Sequence, residues 1–137
     1  MKDLHSSIKV SPAIDPAVIT AGNATLTSAI IDTAGYDSLE FAFCSGAVTD
    51  GTFTITMYEG DASNMSDETA VTSAAALLGS AITFVGATAA DDSAVKRIGY
   101  RGNKRYVRVK AVQSGATTGG YLAAVAIQGR PMSAPVA

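Results

Sequence analysis

The sequence predicts an all-β fold, built as an antiparallel β-sandwich. Three observations support this: apolar and polar residues alternate with a period of two, turn-forming residues separate the alternating segments, and small residues, Thr and Gly dominate a composition with only 16% charged residues. Period-two alternation is typical of a strand with one buried face, and the turn residues favour short strands that reverse direction. At 137 residues the chain suits one domain rather than two, so we expect a single domain over 1–137.

Two strands are predicted in the first half of the chain, at 37–45 and 52–59. A break that ends in Asp50-Gly51, a favoured turn dipeptide, separates them. We therefore interpret the two segments as an antiparallel hairpin. The apolar side chains that share one face of each strand are Leu39, Phe41, Phe43, Phe53, Ile55 and Met57.

A second antiparallel pair is predicted near the C-terminus, at 104–112 and 121–128. In the first segment, alternation separates Val107 and Val109 from the basic residues between them. The second segment is apolar on both faces. A strand of that kind is buried on both faces or has a partner on one of them.

Weaker strand signals at 4–10, 24–31, 81–85 and 95–100 bring the total to about eight, at the spacing of a sandwich or jelly roll. Three segments are interpreted differently. The two prolines in 11–16 indicate a loop. A Ser, early acids and a closing Gly give 66–78 the signals of one short helix, although an alternative without a helix stays open. The proline-bearing end, 129–137, is predicted to be an extended C-terminal arm.

Charge is divided unevenly along the chain. Residues 1–92 contain all twelve acids and two basic residues, a net −10, whereas 93–137 contain eight basic residues and no acid, a net +8. Such asymmetry indicates a nucleic-acid surface, a polar protein interface, or strands whose charges cancel across a sheet. Because acids are so plentiful upstream, we favour cancellation or a protein interface.

Residues with catalytic or metal-binding chemistry are few. His5 stands alone, and an imidazole-based metal site normally needs more than one. Cys44 has no adjacent basic residue that would stabilise a thiolate, so we interpret it as a packed residue. The acidic stretch 59–68 misses the spacing of a calcium loop, which favours a solvated loop. We therefore predict no catalytic, cofactor-binding or metal-binding residue, no cofactor and no enzymatic activity.

The compartment follows from similar observations. A single cysteine excludes an intrachain disulfide, so the fold does not depend on an oxidising environment. No apolar run approaches the length of a membrane span, and the first residues lack a signal-peptide pattern. We expect a cytosolic origin and no membrane association.

Two stretches have a recognisable pattern, the most specific part of which is IGYRGNKRYVR at 98–108. The stretches comprise 32–41, 45–51 and 58–61, and then 95–108, 129–131 and 134–135. Together they resemble the head-decoration, or cement, proteins of tailed bacteriophages. The resemblance implies a jelly-roll-like protein, made in the bacterial host cytoplasm, that coats the capsid exterior of the virion and ties neighbouring capsomers together. It also implies the major capsid protein as a partner, a homo-oligomer such as a dimer or trimer, and no catalytic residues.

Tyr and Arg are typical of interface hot spots, and the basic second half of the chain is rich in both. The predicted interface consists of Arg101, Lys104, Tyr106, Arg108, Lys110 and Arg130. Nucleic acid is disfavoured because no recognised motif accompanies these residues. Two alternatives stay open: another virion structural component, of the tail or the head–tail junction, and a surface- or carbohydrate-binding β-sandwich module.

Overall fold

The computed structural model describes residues 3–19, 25–86 and 90–133. These residues form eleven strands, preceded by a short 3₁₀ turn at His5–Ser7. No helix in these ranges is long and apolar enough to cross a membrane. The strands are β1 (Ile8–Ile19), β2 (Thr25–Thr27), β3 (Ile31–Asp32), β4 (Tyr36–Val48), β5 (Thr52–Gly60), β6 (Thr69–Ala70), β7 (Leu77–Leu78), β8 (Ile82–Val85), β9 (Val95–Tyr100), β10 (Tyr106–Ser114) and β11 (Gly120–Pro131).

The strands form two antiparallel sheets that pack as a sandwich. Sheet A has the order β1-β11-β4-β9-β7, and sheet B has the order β2-β10-β5-β6, with β3 beside β10 and β8 beside β5. When β2 and β3 are taken as one interrupted strand, the central orders are 1-11-4-9 and 2-10-5-8, the arrangement of an eight-stranded jelly roll. The predicted all-β sandwich is confirmed, and β6 and β7 are short additions between β5 and β8.

The core lies between the sheets and is built by the faces that alternation predicted. Phe41, Phe43, Phe53 and Phe84 are the largest fully buried side chains. They interlock with Val107 and the other inward residues of β10 in one continuous cluster. Every apolar side chain that the alternation assigned to a buried face of β4 and β5 is buried.

The two predicted hairpins are wrong, because in each pair the strands belong to different sheets. β4 pairs with β11 and β9, whereas β5 pairs with β10. The short connections 49–51 and 115–119 cross from one sheet to the other. The Asp50 carboxylate joins these crossovers by accepting backbone N–H groups from Thr117 at 2.9 Å, Thr118 at 3.0 Å and Gly119 at 2.5 Å. Alternation identifies which face of a strand is buried. It does not identify the sheet that the strand joins, because the strands of both sheets bury that face in the same core.

The short helix expected at 66–78 is absent, and β6 and β7 lie there instead. Its apparent capping residues have other partners. The Asp67 carboxylate accepts the backbone N–H groups of Asp61 and Ala62 at 2.8 and 3.1 Å, so it closes the preceding loop. The buried Val71 donates its backbone N–H to Met57 of β5 at 2.9 Å. Contacts with β5 therefore override the local helix signals.

The loop expected at 11–16 is also wrong, because these residues lie inside β1. Register shifts between Pro12 and Ile14, and between Ile14 and Ala17, accommodate the two prolines. β1 is an edge strand of sheet A, so a missing proline N–H costs no ladder bond on its outer side.

The arm predicted at 129–137 is wrong for its first residues. Gly129 pairs with Ser38 and Pro131 pairs with Tyr36, so 129–131 are the end of β11. Met132 continues this contact through its backbone N–H, which donates to Gly35 at 2.9 Å. The remainder of the predicted arm, 134–137, lies outside the described residues.

Candidate interaction surfaces

The outer face of sheet B contains four of the six predicted interface residues. Lys104 lies just before β10, and Tyr106, Arg108 and Lys110 alternate along its outward side. The strands beside β10 present threonines on this face, including Thr54 and Thr56 of β5 and Thr25 and Thr27 of β2. This face is therefore polar and hydroxyl-rich. We call its three basic residues, Lys104, Arg108 and Lys110, the basic row.

The basic row is neutralised from within the chain. Glu68, in the loop before β6, forms ion pairs with both Arg108 and Lys110. The Lys110 ammonium also lies 4.5 Å from the centre of the Tyr58 ring, a favourable cation–π geometry. Hydrogen bonds from Lys110 and then Arg108 hold the pKa of the Glu68 carboxyl below its usual value. A docking partner would have to displace Glu68 before it could use either cation.

The same pairing extends to the loop before β10. Lys104 forms an ion pair with Asp61, and this contact raises the pKa of the lysine. The Arg105 guanidinium contacts both carboxylate oxygens of Asp32, at 3.0 and 2.8 Å, and lowers the pKa of that carboxyl. The uneven charge seen in the sequence is thus largely a set of acids from the first half paired with bases from the second.

The acidic stretch 59–68 has no spare ligand set for a cation. Its carboxylates face Lys104, Arg108, Lys110, the Tyr100 hydroxyl or backbone N–H groups. Across the described ranges, no group of three or more His, Cys, Asp or Glu side chains is placed to hold a metal ion.

The remaining two predicted residues lie apart from the basic row. Arg101 follows β9 and donates from Nε to the Ala75 carbonyl at 3.4 Å. Arg130, near the end of β11, is exposed and has a φ of 53°, in the left-handed region that non-glycine residues seldom adopt. The structure therefore does not join all six residues into one surface.

Tyr100, the most buried tyrosine, is hydrogen-bonded to Glu59 and to the loop before β10. The Tyr100 hydroxyl donates to the Glu59 carboxylate at 2.5 Å and accepts the Lys104 backbone N–H at 2.9 Å. Burial, followed by the hydrogen bond to Glu59, raises the pKa of Tyr100 above its usual value. A Cβ at Gly102 would lie only 2.2 Å from the Tyr100 oxygen, so this glycine allows the chain to pass over the ring.

The outer face of sheet A is different in character. Its exposed large apolar side chains include Val95 at 72%, Val10 and Tyr121 at 56%, Val18 at 44% and Val125 at 39%. Strand pairing places them on one surface, because residues opposite each other in a sheet point the same way. We call this surface the apolar face; it consists of Val10, Val18, Ala42, Cys44, Val95, Tyr121, Ala123, Val125 and Ile127.

The apolar face is shallow. One open hollow of about 130 Å³ lies between Ala42, Val95 and Val125. A second, of about 230 Å³, lies beside Tyr121, which packs over the backbone of Gly46 where a Cβ would meet it at 2.9 Å. Glu40 and Arg97 lie on the same side of the sheet, opposite Ile127 and Ala42, and form an ion pair at 3.3 Å. Such a surface suits a flat macromolecular partner better than an enclosed small ligand.

Sequence reasoning placed the interface on the basic row and did not select the apolar face. The signal was available, because β11 was seen to be apolar on both sides. Leu122, Ala124 and Ala126 are buried in the core, while Tyr121 and Val125 on the other side are exposed. The structure thus leaves the outward side of β11 uncovered.

No protein-family model matches the chain, and no curated protein matches it significantly.

Proposed function

We propose that the chain is a capsid decoration protein, which binds the exterior of a phage head and stabilises contacts between capsomers. The observation that supports this most is the apolar face, which extends across four strands of sheet A. Contiguous exposed apolar surface on a soluble domain marks a site of protein association. A chain built around such a face functions as part of an assembly.

The fold and the charges agree with this proposal. Jelly rolls occur in viral capsid proteins, although they occur in lectins as well, so the fold is support by analogy only. The basic row is paired with Glu68, which favours a protein partner over nucleic acid because phosphate binding depends on free cations. We propose the major capsid protein as the partner, the virion exterior as the location, and no catalytic role.

The experiment is reconstitution on particles. The purified chain is added to heads assembled from the shell protein encoded nearest to its gene, and the particles are then separated by sedimentation. We expect saturable binding with a copy number comparable to that of the shell protein. Because many weak contacts add by avidity, decorated heads should also rupture at a higher temperature, measured by calorimetry.

Bare heads carried through the same heating provide the baseline. A chain that stays in the supernatant, or that binds without changing the rupture temperature, would contradict the proposal. A glycan array tests the carbohydrate-binding alternative. Binding of the chain to glycans on the array, together with no binding to heads, would favour that alternative. Finding the chain only on purified tails would favour the other virion role.

A further inference from the structure

Most basic side chains are neutralised from within the chain, but three are not. The structure describes nine of the ten lysines and arginines, all except Lys2, and six of these nine form ion pairs with acids of the chain. Lys9, Arg101 and Arg130 form no ion pair with a described residue, and all three are exposed. Their charge is therefore available to another molecule.

The three unpaired cations lie at one end of the sandwich, where β1 and β4 begin and β9 and β11 end. One row of paired residues crosses these four strands: Lys9, Gln128, Leu39 and Tyr100. Arg101 follows this row on β9, and Arg130 lies two residues beyond it on β11. Since only β4 lies between β11 and β9, the backbones at the two arginines are roughly 10 Å apart across the sheet.

A small hollow lies at the same end of the sandwich. It has a volume of about 90 Å³, and its lining includes Tyr36, Asp37 and Arg101. The Lys9 ammonium lies 6.0 Å from the centre of the Tyr36 ring. Pockets for small ligands typically measure roughly 300 Å³ or more, so this hollow suits the tip of one side chain of a partner. We call Lys9, Tyr36, Asp37, Arg101 and Arg130 the strand-end surface.

Both arginines of the strand-end surface keep hydrogen-bond donors free. The Arg101 guanidinium has one described contact, from Nε to the Ala75 carbonyl at 3.4 Å, which leaves its two terminal nitrogens unused. Arg130 has a φ of 53°, a conformation that glycine adopts far more readily. Backbone strain of this kind occurs most often at functional sites. An arginine at this position is therefore explained better by a use for its side chain than by the needs of the backbone.

The chemistry of the strand-end surface fits the carboxylates of a protein. Its three cations and one acid give a net charge of +2, which attracts an acidic partner. The planar fork of arginine matches a carboxylate with two parallel hydrogen bonds. Asp37 lies on β4, between the strands that carry the two arginines, so a continuous row of phosphates would meet a like charge there. Separate acidic side chains can contact each arginine without approaching Asp37.

We infer that the strand-end surface binds an acidic segment of a protein partner, whose carboxylates contact Arg101 and Arg130. The inference rests on the proposed function for the identity of that partner, the shell protein, and deepens it. A protein that ties two capsomers together needs two contact surfaces. The apolar face lies on the side of sheet A and the strand-end surface lies at its end, so the two face different directions and each contacts a different neighbour.

The test removes both arginines without weakening the fold. The double variant combines Arg101→Gln with Arg130→Gly, since glycine tolerates the positive φ at 130. Its affinity for immobilised poly-L-glutamate, measured by retention at low salt, should fall about threefold or more relative to the wild type. Ser93→Gly is the matched control, because Ser93 has a φ of 52° before the other end of β9 and carries no charge; its retention should not change. Thermal unfolding establishes that both variants are folded.

Three outcomes on columns would overturn the inference. Poly-L-glutamate does not retain the wild type, it retains the double variant equally well, or immobilised DNA retains the wild type more strongly through the same two arginines, which would assign the surface to phosphates. Phage heads separate the inference from the proposed function. Heads that bind the double variant as well as the wild type would overturn the inference and leave the proposed function standing. A wild type that poly-L-glutamate retains through the two arginines, but that binds no heads, would do the reverse.

Discussion

The outer faces of the two sheets belong to one sandwich and cover the same core, yet their surface chemistry is opposite. Sheet B presents threonines and a row of cations, and Glu68 pairs with two of these cations. Sheet A presents Val10, Val95, Tyr121 and Val125 to solvent. Contiguous exposed apolar surface is typical of sites of association. The difference is that the chain itself pairs cations of sheet B, whereas apolar side chains of sheet A stay exposed.

Sheet A also contains charged residues, and two of them, Glu40 opposite Ile127 and Arg97 opposite Ala42, lie on its outer face. Lys96 of β9 points inward, with its ammonium 4.6 Å from the centre of the Phe84 ring and paired with Asp91. Arg97, its neighbour in sequence, forms an ion pair with Glu40 on the outer face. These charges of sheet A are therefore either turned inward or paired with each other.

The largest predicted effect comes from removing the inward charge pair of sheet A. Besides binding Lys96, the Asp91 carboxylate accepts the backbone N–H of Val85 at 2.8 Å. Asp91→Ala leaves both donors without this acceptor, so we expect the free energy of unfolding to fall by about 2–3 kcal/mol. Urea titration at pH 7 measures the change.

Asp91→Asn is the control, because it keeps an acceptor oxygen for Val85 while it removes the charge. We expect it to lose less stability than Asp91→Ala. If both variants unfold at the same urea concentration as the wild type, the inward pair does not stabilise sheet A, and the contrast between the two faces loses its energetic support.

The next effect tests the connections that join the two faces. Asp50 accepts three backbone N–H groups from 117–119, and these bonds hold the pKa of its carboxyl below the usual 3.8. A depressed carboxyl pKa contributes stability above pH 3.8, and the contribution disappears as the pH falls through the lower folded-state value. Asp50→Asn should therefore be less stable than the wild type at pH 7, and the difference should shrink as the pH falls below 3.8.

Urea titrations of both proteins at pH 7, and at several values from just above pH 3.8 downward, test this. A stability difference that stays constant across the series would mean that ionisation of Asp50 does not hold the crossovers together. The effect should be smaller than that of Asp91→Ala, because the Asp50 carboxylate lies open to solvent.

Local pattern was sufficient to predict the fold class, because the buried side chains from Leu39 to Ser45 in β4 and from Phe53 to Met57 in β5 share the two-residue period of their strands. The local pattern was insufficient to predict which strands pair. β4 and β5 contact each other through side chains in the core, whereas their hydrogen-bonded partners are β11 and β10. At 66–78 the helix signals were real, but Asp67 and Val71 are held by β5 and its following loop. Tertiary contacts of this kind leave no local trace in a sequence.

The predicted interface stays a prediction, but the sequence did not show which of its side chains are already paired. Arg108 and Lys110 look available in the sequence, and their partner Glu68 lies about 40 positions away. Tyr121 and Val125, in contrast, look like core residues until β11 is known to have only one covered face. Whether a side chain is available depends on what the fold brings next to it, which charge and hydropathy alone do not report.

The smallest predicted effect is the one on stability when the charge of Glu68 is removed. Glu68→Gln preserves the size of the side chain but releases Arg108 and Lys110 from their ion pairs, so the outer face of sheet B becomes cationic. Because the three side chains are only partly buried, the loss of stability should be about 0.5–1 kcal/mol. Retention on a heparin column should nevertheless increase, since the two cations then meet the polyanion without a competing carboxylate.

Glu40→Gln is the matched control: its partner Arg97 is already 77% exposed, so retention should change less. Equal retention of both variants would mean that sheet B is not neutralised by Glu68, and the proposed difference between the two faces would then rest on the apolar face alone.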